Sequence, residues 1–264
     1  MKNIAVVGMG EMGSIFSQKI KDANVFTYLS KNRSTKTRNR VKLYKIEITS
    51  SFSELVNNAD IIFSILPCEK ALGFAKKLSK EKIKKPKFFI ECNPLSTIKI
   101  KKLKSYFKST KFILIDASII GPPPFKSSTS LYISGKKAKK IEELNIENVK
   151  IKNLGDNFGD ASKLKLLFSG INKGLNALVY QIVTTASDLR LDVELMNEIS
   201  KRIPSLSKRL ENQKLKILNN AERYIYEMKE ISDQLKTNGF SGNFHKDASA
   251  TFKYIFQNER KLKN

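Results

Sequence analysis

Met1-Lys2-Asn3-Ile4-Ala5-Val6-Val7-Gly8-Met9-Gly10-Glu11-Met12-Gly13 opens the chain, and the fold is decided by how this stretch is read. An apolar run, Ile4 to Val7, gives way at once to glycines at 8, 10 and 13. Ser14 to Ile20 continues in helical fashion, with Ile15, Phe16 and Ile20 available for an inner face. The order is strand, tight turn, helix. At this spacing the first glycine permits the sharp turn and the second lets backbone approach a pyrophosphate. The third allows the helix to pack closely on the strand, and the helix N-terminus faces the phosphates. Gly8, Met9, Gly10, Glu11, Met12 and Gly13 are therefore the candidate dinucleotide-binding turn. Glycines also end strands for geometry alone, so a purely structural turn is the competing reading.

Outward from that turn, Asn24 to Leu29 reads as the second strand. In such a unit an acidic residue about 20 positions beyond the glycines holds the ribose 2′-hydroxyl of NAD. Here that region is Ser30 to Arg38, and no acidic residue occurs from Ala23 through Ile46. A carboxylate would repel a 2′-phosphate, whereas Arg33 and Arg38 with the hydroxyls of Ser34 and Thr37 would bind one by charge-assisted hydrogen bonds. Asn32, Arg33, Ser34, Thr37 and Arg38 are thus assigned to the cofactor, which favours NADP over NAD. A merely basic loop in a basic protein is the alternative.

Glu47 to Asn57 reads as a short strand and short helix. The run Asp60 to Pro67 suits a parallel strand covered on both faces, with Leu66 and Pro67 where the cofactor would lie. Glu69 to Lys80 is helical, Phe88 to Cys92 is a strand, and Asn93 to Thr97 is a polar turn and helix cap. Phe112 to Ile115 is the sixth strand, leading into a loop from Asp116 to Pro124 stiffened by three prolines. Leu131 to Ser134 and Val149 to Leu154 are further strands around a short lysine-rich helix. This alternation predicts an α/β, Rossmann-type doubly wound, mostly parallel sheet over residues 1–157.

Beyond the turn-rich Gly155 to Asp160 the pattern becomes helical, defining an all-α C-terminal domain over 158–264. Leu164, Leu167, Phe168, Ile171, Leu175, Leu178 and Ile182 recur at helical spacing, which predicts one long helix burying that face. Lys165, Ser169, Asn172 and Asn176 form a second, polar stripe, either solvated or lining a cleft. Long helices of this kind cannot bury their apolar stripes alone, so a homodimer through the helical domain is expected.

Composition narrows the class. The chain has 264 residues and 41% hydrophobic content, that of a soluble globular protein. No apolar run approaches the roughly 20 residues needed to span a bilayer, and no membrane association is expected. The formal charge of +24 is high enough to hold nucleic acid non-specifically. Yet the lysines are scattered without an aromatic platform, and a solvated surface is the simpler reading. Cys68 and Cys92 have no metal-site spacing, so no metal is expected, and a reducing cytoplasm is the default. His245 is the single histidine, which removes a His-based triad; it reads as a packing residue or a substrate contact.

Taken together, these pieces resemble the β-hydroxyacid dehydrogenases, the group of 3-hydroxyisobutyrate and 6-phosphogluconate dehydrogenases. The likeness is nearest to the 6-phosphogluconate dehydrogenase-like branch whose helical C-terminal domain has no assigned function. It rests on Gly8 to Gly13, on Asn32 to Arg38, and on Asn93 with Ser96. Asp116 to Pro124 followed by Thr129 to Gly135, and Lys165 to Leu175, add the more specific part. The resemblance implies NAD(P)-dependent oxidation of a small hydroxyacid or the reverse reduction, in a cleft between the domains. It implies that the nicotinamide lies near Pro67 and Asn93. The substrate acid is held by Ser96 and by Ser118, Ile119, Ile120 and Gly121, with Ser169 and Asn172 alongside. The lysine matching Lys165 exchanges a proton with the substrate hydroxyl. Two departures are evident: Ser169 stands where the better-known enzymes carry Asn, and Ile120-Gly121-Pro122 stands where they carry Ser-Gly-Gly. They imply retained redox chemistry on a different substrate. Lys173 is a second anion contact or an exposed lysine. A non-catalytic nucleotide-sensing or nucleic-acid-binding protein on the same scaffold is the rival reading.

Overall fold

A computed structural model of the chain describes all residues except 126, 127 and 264, and all side chains but those and 209–216 and 259–263. Eight strands, β1 (Lys2–Val7), β2 (Ala23–Thr27), β3 (Glu47–Ile48), β4 (Ile61–Ser64), β5 (Lys87–Glu91), β6 (Phe112–Ile120), β7 (Thr129–Ser134) and β8 (Val149–Asn153), form one sheet. Their order is β3-β2-β1-β4-β5-β6-β7-β8. Every neighbouring pair is parallel except β6 with β7. The doubly wound, mostly parallel sheet expected from the sequence is therefore present. Strand order reverses at β1, which pairs with β2 on one side and β4 on the other, so a ligand crevice belongs at the carboxyl ends of these strands.

Apolar runs covered on both faces make β1 and β4 central. Ile4 and Val6 point into one core with Phe16 of α1 (Glu11–Lys19) and Val41 of α2 (Thr35–Leu43). Ala5, Val7 and Ile62 point into the other, with Leu55 of α3 (Phe52–Asn58), Ala75 of α4 (Cys68–Leu78) and Leu103 of α5 (Thr97–Tyr106). A 3-10 turn, Ala138–Ile141, replaces the expected lysine-rich helix before β8.

One expectation is corrected here. Asp116 to Ile120 is not loop but the second half of β6, paired antiparallel with β7 from Asp116↔Ser134 to Ile120↔Ser130. The three prolines after Gly121 suggested a loop over the whole stretch, but Asp116 and Ser118 are buried within the sheet.

The chain forms two compact units, Met1–Lys165 and Leu166–Asn264. The sequence placed the division at 157/158; the start of α6 (Asp160–Asp188), through Lys165, falls in the sheet unit, whose side chains cap it. The second unit continues α6 and adds α7 (Asp192–Arg202), α8 (Pro204–Thr237) and α9 (Asn243–Lys263). Its core contains Leu166, Ala177, Tyr224, Met228, Ile231 and Phe252.

Within this unit the two faces of α6 are exchanged relative to expectation. Leu167, Phe168, Ile171, Leu178 and Ile182 are exposed, Ile171 at 76%. Buried instead are Leu166, Ser169, Gly170, Lys173, Gly174, Asn176 and Ala177. The glycines explain the exchange. A Cβ on Gly170 would lie 3.2 Å from both Ile231 Cγ2 and His245 Nε2, and one on Gly174 would lie 2.9 Å from Phe244 Cε1. Helices approach closely only along that small-residue face, and the bulky apolar face is left outward. No residue of α7 is buried.

Candidate active site at the carboxyl edge of the sheet

The glycine turn has the backbone geometry that its spacing predicts. Gly8 has φ +107°, and a Cβ there would meet Ile65 O at 2.1 Å. Gly13 lies so close to β1 that a Cβ would be 2.0 Å from Gly8 O. Around Gly10 a Cβ would meet nothing within 4 Å, so this residue borders open space at the start of α1. The three glycines therefore divide the work as their spacing predicts: turn, open cradle, close packing. Of the residues between them, Met9 is buried in the core and has only its backbone to offer, Met12 packs beside that core, and Glu11 is exposed in the first turn of α1.

Beyond β2, Ser34 caps α2, accepting from Thr37 N at 3.4 Å and lying 3.1 Å from Thr37 Oγ1. Arg38 turns back on its own loop, donating to Lys31 O at 2.6 Å, Arg33 O at 3.3 Å and Ser30 O at 3.4 Å. It braces the loop that presents Arg33. Asn32 and Arg33 are exposed. Leu66 packs against the core, and Pro67 is exposed as the N-cap of α4 just past β4.

At the edge shared by β4 to β7, register brings a buried polar row together: Ser64 pairs with Glu91, Glu91 with Asp116, and Asp116 with Ser134. Asn93 N donates to Glu91 Oε1 at 3.0 Å, and Asn93 Nδ2 donates to the same oxygen and to Ser64 Oγ at 3.3 Å. The amide nitrogen of Asn93 is thus turned inward, toward Glu91 and Ser64. Ser96 is buried as the N-cap of α5. Ser118 is fully buried on β6, and its Oγ has no hydrogen-bond partner among the described residues. Ile119 points to the opposite core, Ile120 is half-buried, and Gly121 follows with φ +130°. Only the backbone of Ile119 can therefore serve a ligand on the Ser118 side.

Glu91 and Asp116 were not singled out from the sequence as site residues. The available signal was an acid ending an apolar strand run, twice: Phe88-Phe89-Ile90-Glu91 and Ile113-Leu114-Ile115-Asp116. Burial raises Glu91 to about 8 and Asp116 to about 6, the latter opposed by hydrogen bonds from Ser162 and Ser134. Glu91 is therefore protonated at neutral pH, so Oε1 accepts from Asn93 without an ionised charge in the core. The folded state binds this proton more tightly than the unfolded chain, so stability is greatest below the ordinary carboxyl value and falls as pH rises towards 8. A gap of this size corresponds to a loss on the order of 5 kcal/mol. Glu91→Gln is expected to flatten that fall. Urea unfolding at pH 5 and pH 9 checks it, and parallel pH dependence in the two proteins would refute it.

Lys165 is half-buried in the second turn of α6, and its charge reaches Cys92, just past β5, where it opposes the upward push of burial on that thiol. Burial drives the Cys92 thiol well up, so it stays protonated and inert. Ser169 and Asn172 belong to the second unit, Ser169 buried and accepting from Lys173 Nζ at 3.4 Å. Lys173 is ion-paired with Glu227 and lies 4.9 Å from the Tyr224 ring centre, so its charge is balanced inside the helical core. His245 sits at the start of α9 with Nε2 3.2 Å from Gly170 O, the packing role expected of it. A cavity of about 500 Å³ lies at the opposite, amino edge of the sheet near Lys2, Lys21 and Asp60. Its charges are already paired, Lys2 with Glu143 and Asp60 with Asn3 N, and it has no part in the crevice.

Residues 3–145 match the family model described as the NAD binding domain of 6-phosphogluconate dehydrogenase, and residues 186–255 match a domain of unknown function (DUF1932). An uncharacterized 28.5 kDa protein of Methanothermus fervidus is 33% identical over 193 residues, covering 73% of this chain and 74% of its own. A 3-hydroxyisobutyrate dehydrogenase from Salmonella typhimurium has a similar structure, with TM-score 0.72 and 12% identity over 96% of this chain and 94% of that one. A reductive aminase from Aspergillus terreus, solved with NADPH4, cyclohexanone and allyl amine, gives TM-score 0.60 and 13% identity over 96% and 99%. No helix among the described residues is long and apolar enough to cross a membrane.

Proposed function

This chain belongs to the β-hydroxyacid dehydrogenase-like family, and from that premise we propose that it is an NADP(H)-dependent oxidoreductase acting on a small hydroxyacid or the corresponding carbonyl compound. The observation that carries the reading is the open space at Gly10, past the end of β1 next to the polar strand edge of Asn93 and Ser118, with Lys165 in the same unit. The turn from Gly8 to Gly13 would hold the pyrophosphate, Arg33 the 2′-phosphate, and Asn93 with Pro67 the nicotinamide end. Bound there, the cofactor supplies or takes up hydride. Lys165 takes the hydroxyl proton of an alcohol substrate or returns one to a carbonyl oxygen, and Ser118 donates to the substrate acid. A homodimer through the outward apolar face of α6 and a cytoplasmic location complete the proposal.

The test is direct binding of NADPH and NADH, followed by turnover on a panel of hydroxyacids, semialdehydes and imines. The chain has no tryptophan, so cofactor fluorescence is read without indole background. NADPH is expected to bind more tightly than NADH. Arg33→Ala is expected to weaken NADPH about tenfold or more while leaving NADH nearly unchanged, as for loss of one charge-assisted hydrogen bond. Equal affinities in the parent protein would remove the NADP assignment. Absence of cofactor binding, with tight and salt-sensitive DNA binding, would favour the nucleic-acid rival.

A further inference from the structure

The start of α6 has no cap of its own. Gly159, at φ +115°, precedes it and has no side chain to accept from the first amides. Those amides are satisfied from the sheet. Ala161 N donates to Ser134 Oγ at 3.2 Å and Ser162 N to Asp116 Oδ2 at 2.8 Å. The Ser162 hydroxyl donates to Asp116 Oδ1 at 2.5 Å, and Ser134 Oγ donates to Asp116 Oδ2 at 3.1 Å. Ser162 Oγ also lies 3.4 Å from Asn93 O, its second acceptor. Asp116 and Ser162 are 1% and 0% exposed.

Three parts of the site radiate from this knot. Asn93 bonds to it, Ser118 stands two residues along the same strand as Asp116, and Lys165 follows Ser162 by one helical turn. A negative charge is also favoured at the N-terminus of so long a helix, which keeps the cap closed when Asp116 is ionised.

We infer that Asp116 is the positioning residue of the site, capping α6 from the sheet through Ser162 so that Lys165 is held at a fixed place relative to Asn93 and Ser118. This rests on the proposed role of Lys165. Misplacing a reacting group by about 1 Å costs about 10²-fold in rate, and that is the size of effect at stake.

The test uses the full chain and the variants Asp116→Asn, Asp116→Ala and Ser162→Ala, the last included because it leaves the buried carboxylate with two partners. Amide hydrogen exchange over residues 160–166 is expected to speed up in all three. Turnover is expected to fall about 10²-fold in Asp116→Ala and less in Asp116→Asn, which keeps one acceptor, with NADPH affinity unchanged. Combined with Lys165→Ala, the Asp116 variants are expected to cost nothing further, because both act through one amine. Unchanged exchange, parent-like turnover in Asp116→Ala, or additive losses in the double variants would overturn the inference. If the parent protein turns over no substrate, or Lys165→Ala leaves turnover intact, the dehydrogenase reading fails. The exchange arm then decides the cap separately.

Discussion

Lys165→Ala is expected to bind NADPH as tightly as the parent protein and to lose turnover by about 10²- to 10⁴-fold, the range that one general acid–base group supplies. Few other residues are available for that work. The chain's single histidine is on α9, packed over Gly170 of the helical unit. Glu91 and Asp116 are buried; Glu91 Oε1 accepts from Asn93, and both Asp116 oxygens accept from Ser162 or Ser134. Cys92 is held as a thiol. Lys165 alone among these combines partial exposure with a place on the capped start of α6. Two further variants sharpen the result. Lys165→Arg keeps the charge but stays protonated throughout the accessible pH range, so it is expected to support substrate binding better than proton exchange. An added primary amine is expected to restore part of the activity of Lys165→Ala, because it supplies the missing base without the tether. Turnover of Lys165→Ala within a few-fold of the parent would remove the amine from the reaction.

What was legible in the sequence follows from which level of structure carries the signal. Gly8, Gly10 and Gly13 act through backbone, so their task is written in residue type and spacing, and the cradle at Gly10 is where the pattern puts it. Central strands such as Ile61 to Ser64 are equally readable, because covering on both faces demands a continuous apolar run. The polar row Ser64, Glu91, Asp116 and Ser134 is different. It is made by register between strands far apart in the chain, and no local pattern announces it. The prolines after Gly121 hid the second half of β6, because a turn signal does not say how far back a strand reaches. Arg38 was readable as a cation near the cofactor loop, but its rotation onto Lys31 O and Ser30 O is a tertiary detail. On α6, periodicity marked two faces but assigned the apolar one to the core, and the structure turns the other inward. That choice was made by Gly170 and Gly174, whose missing side chains admit His245 and Phe244.

The outward face of α6 leads to the second large effect: the protein is expected to be a dimer at micromolar concentration, and Ile171→Glu is expected to make it a monomer. Leu167, Phe168, Ile171, Leu178 and Ile182 stand on one side of the helix at 42% to 76% exposure, and Leu189, Leu191 and Val193 extend the apolar surface into α7 at 52% to 63%. Scattered exposed leucines are ordinary, but a helical stripe continued onto a neighbouring helix is the mark of a contact surface. A second copy meeting it about a two-fold axis would bring each substitution into the interface twice. Burying one isoleucine contributes about 1.5–3 kcal/mol, and two copies together change the dimerisation constant by about 10² to 10⁴-fold before the buried charge is counted. Sedimentation equilibrium of the parent, Ile171→Glu and a control, Lys136→Glu on the sheet unit, measures this. Only Ile171→Glu is expected to dissociate, with an unchanged circular dichroism spectrum because Ile171 makes no part of the monomer core. A parent protein that sediments as a monomer at tens of micromolar, or an Ile171→Glu variant that stays dimeric, would show that this face of α6 is not the contact between subunits.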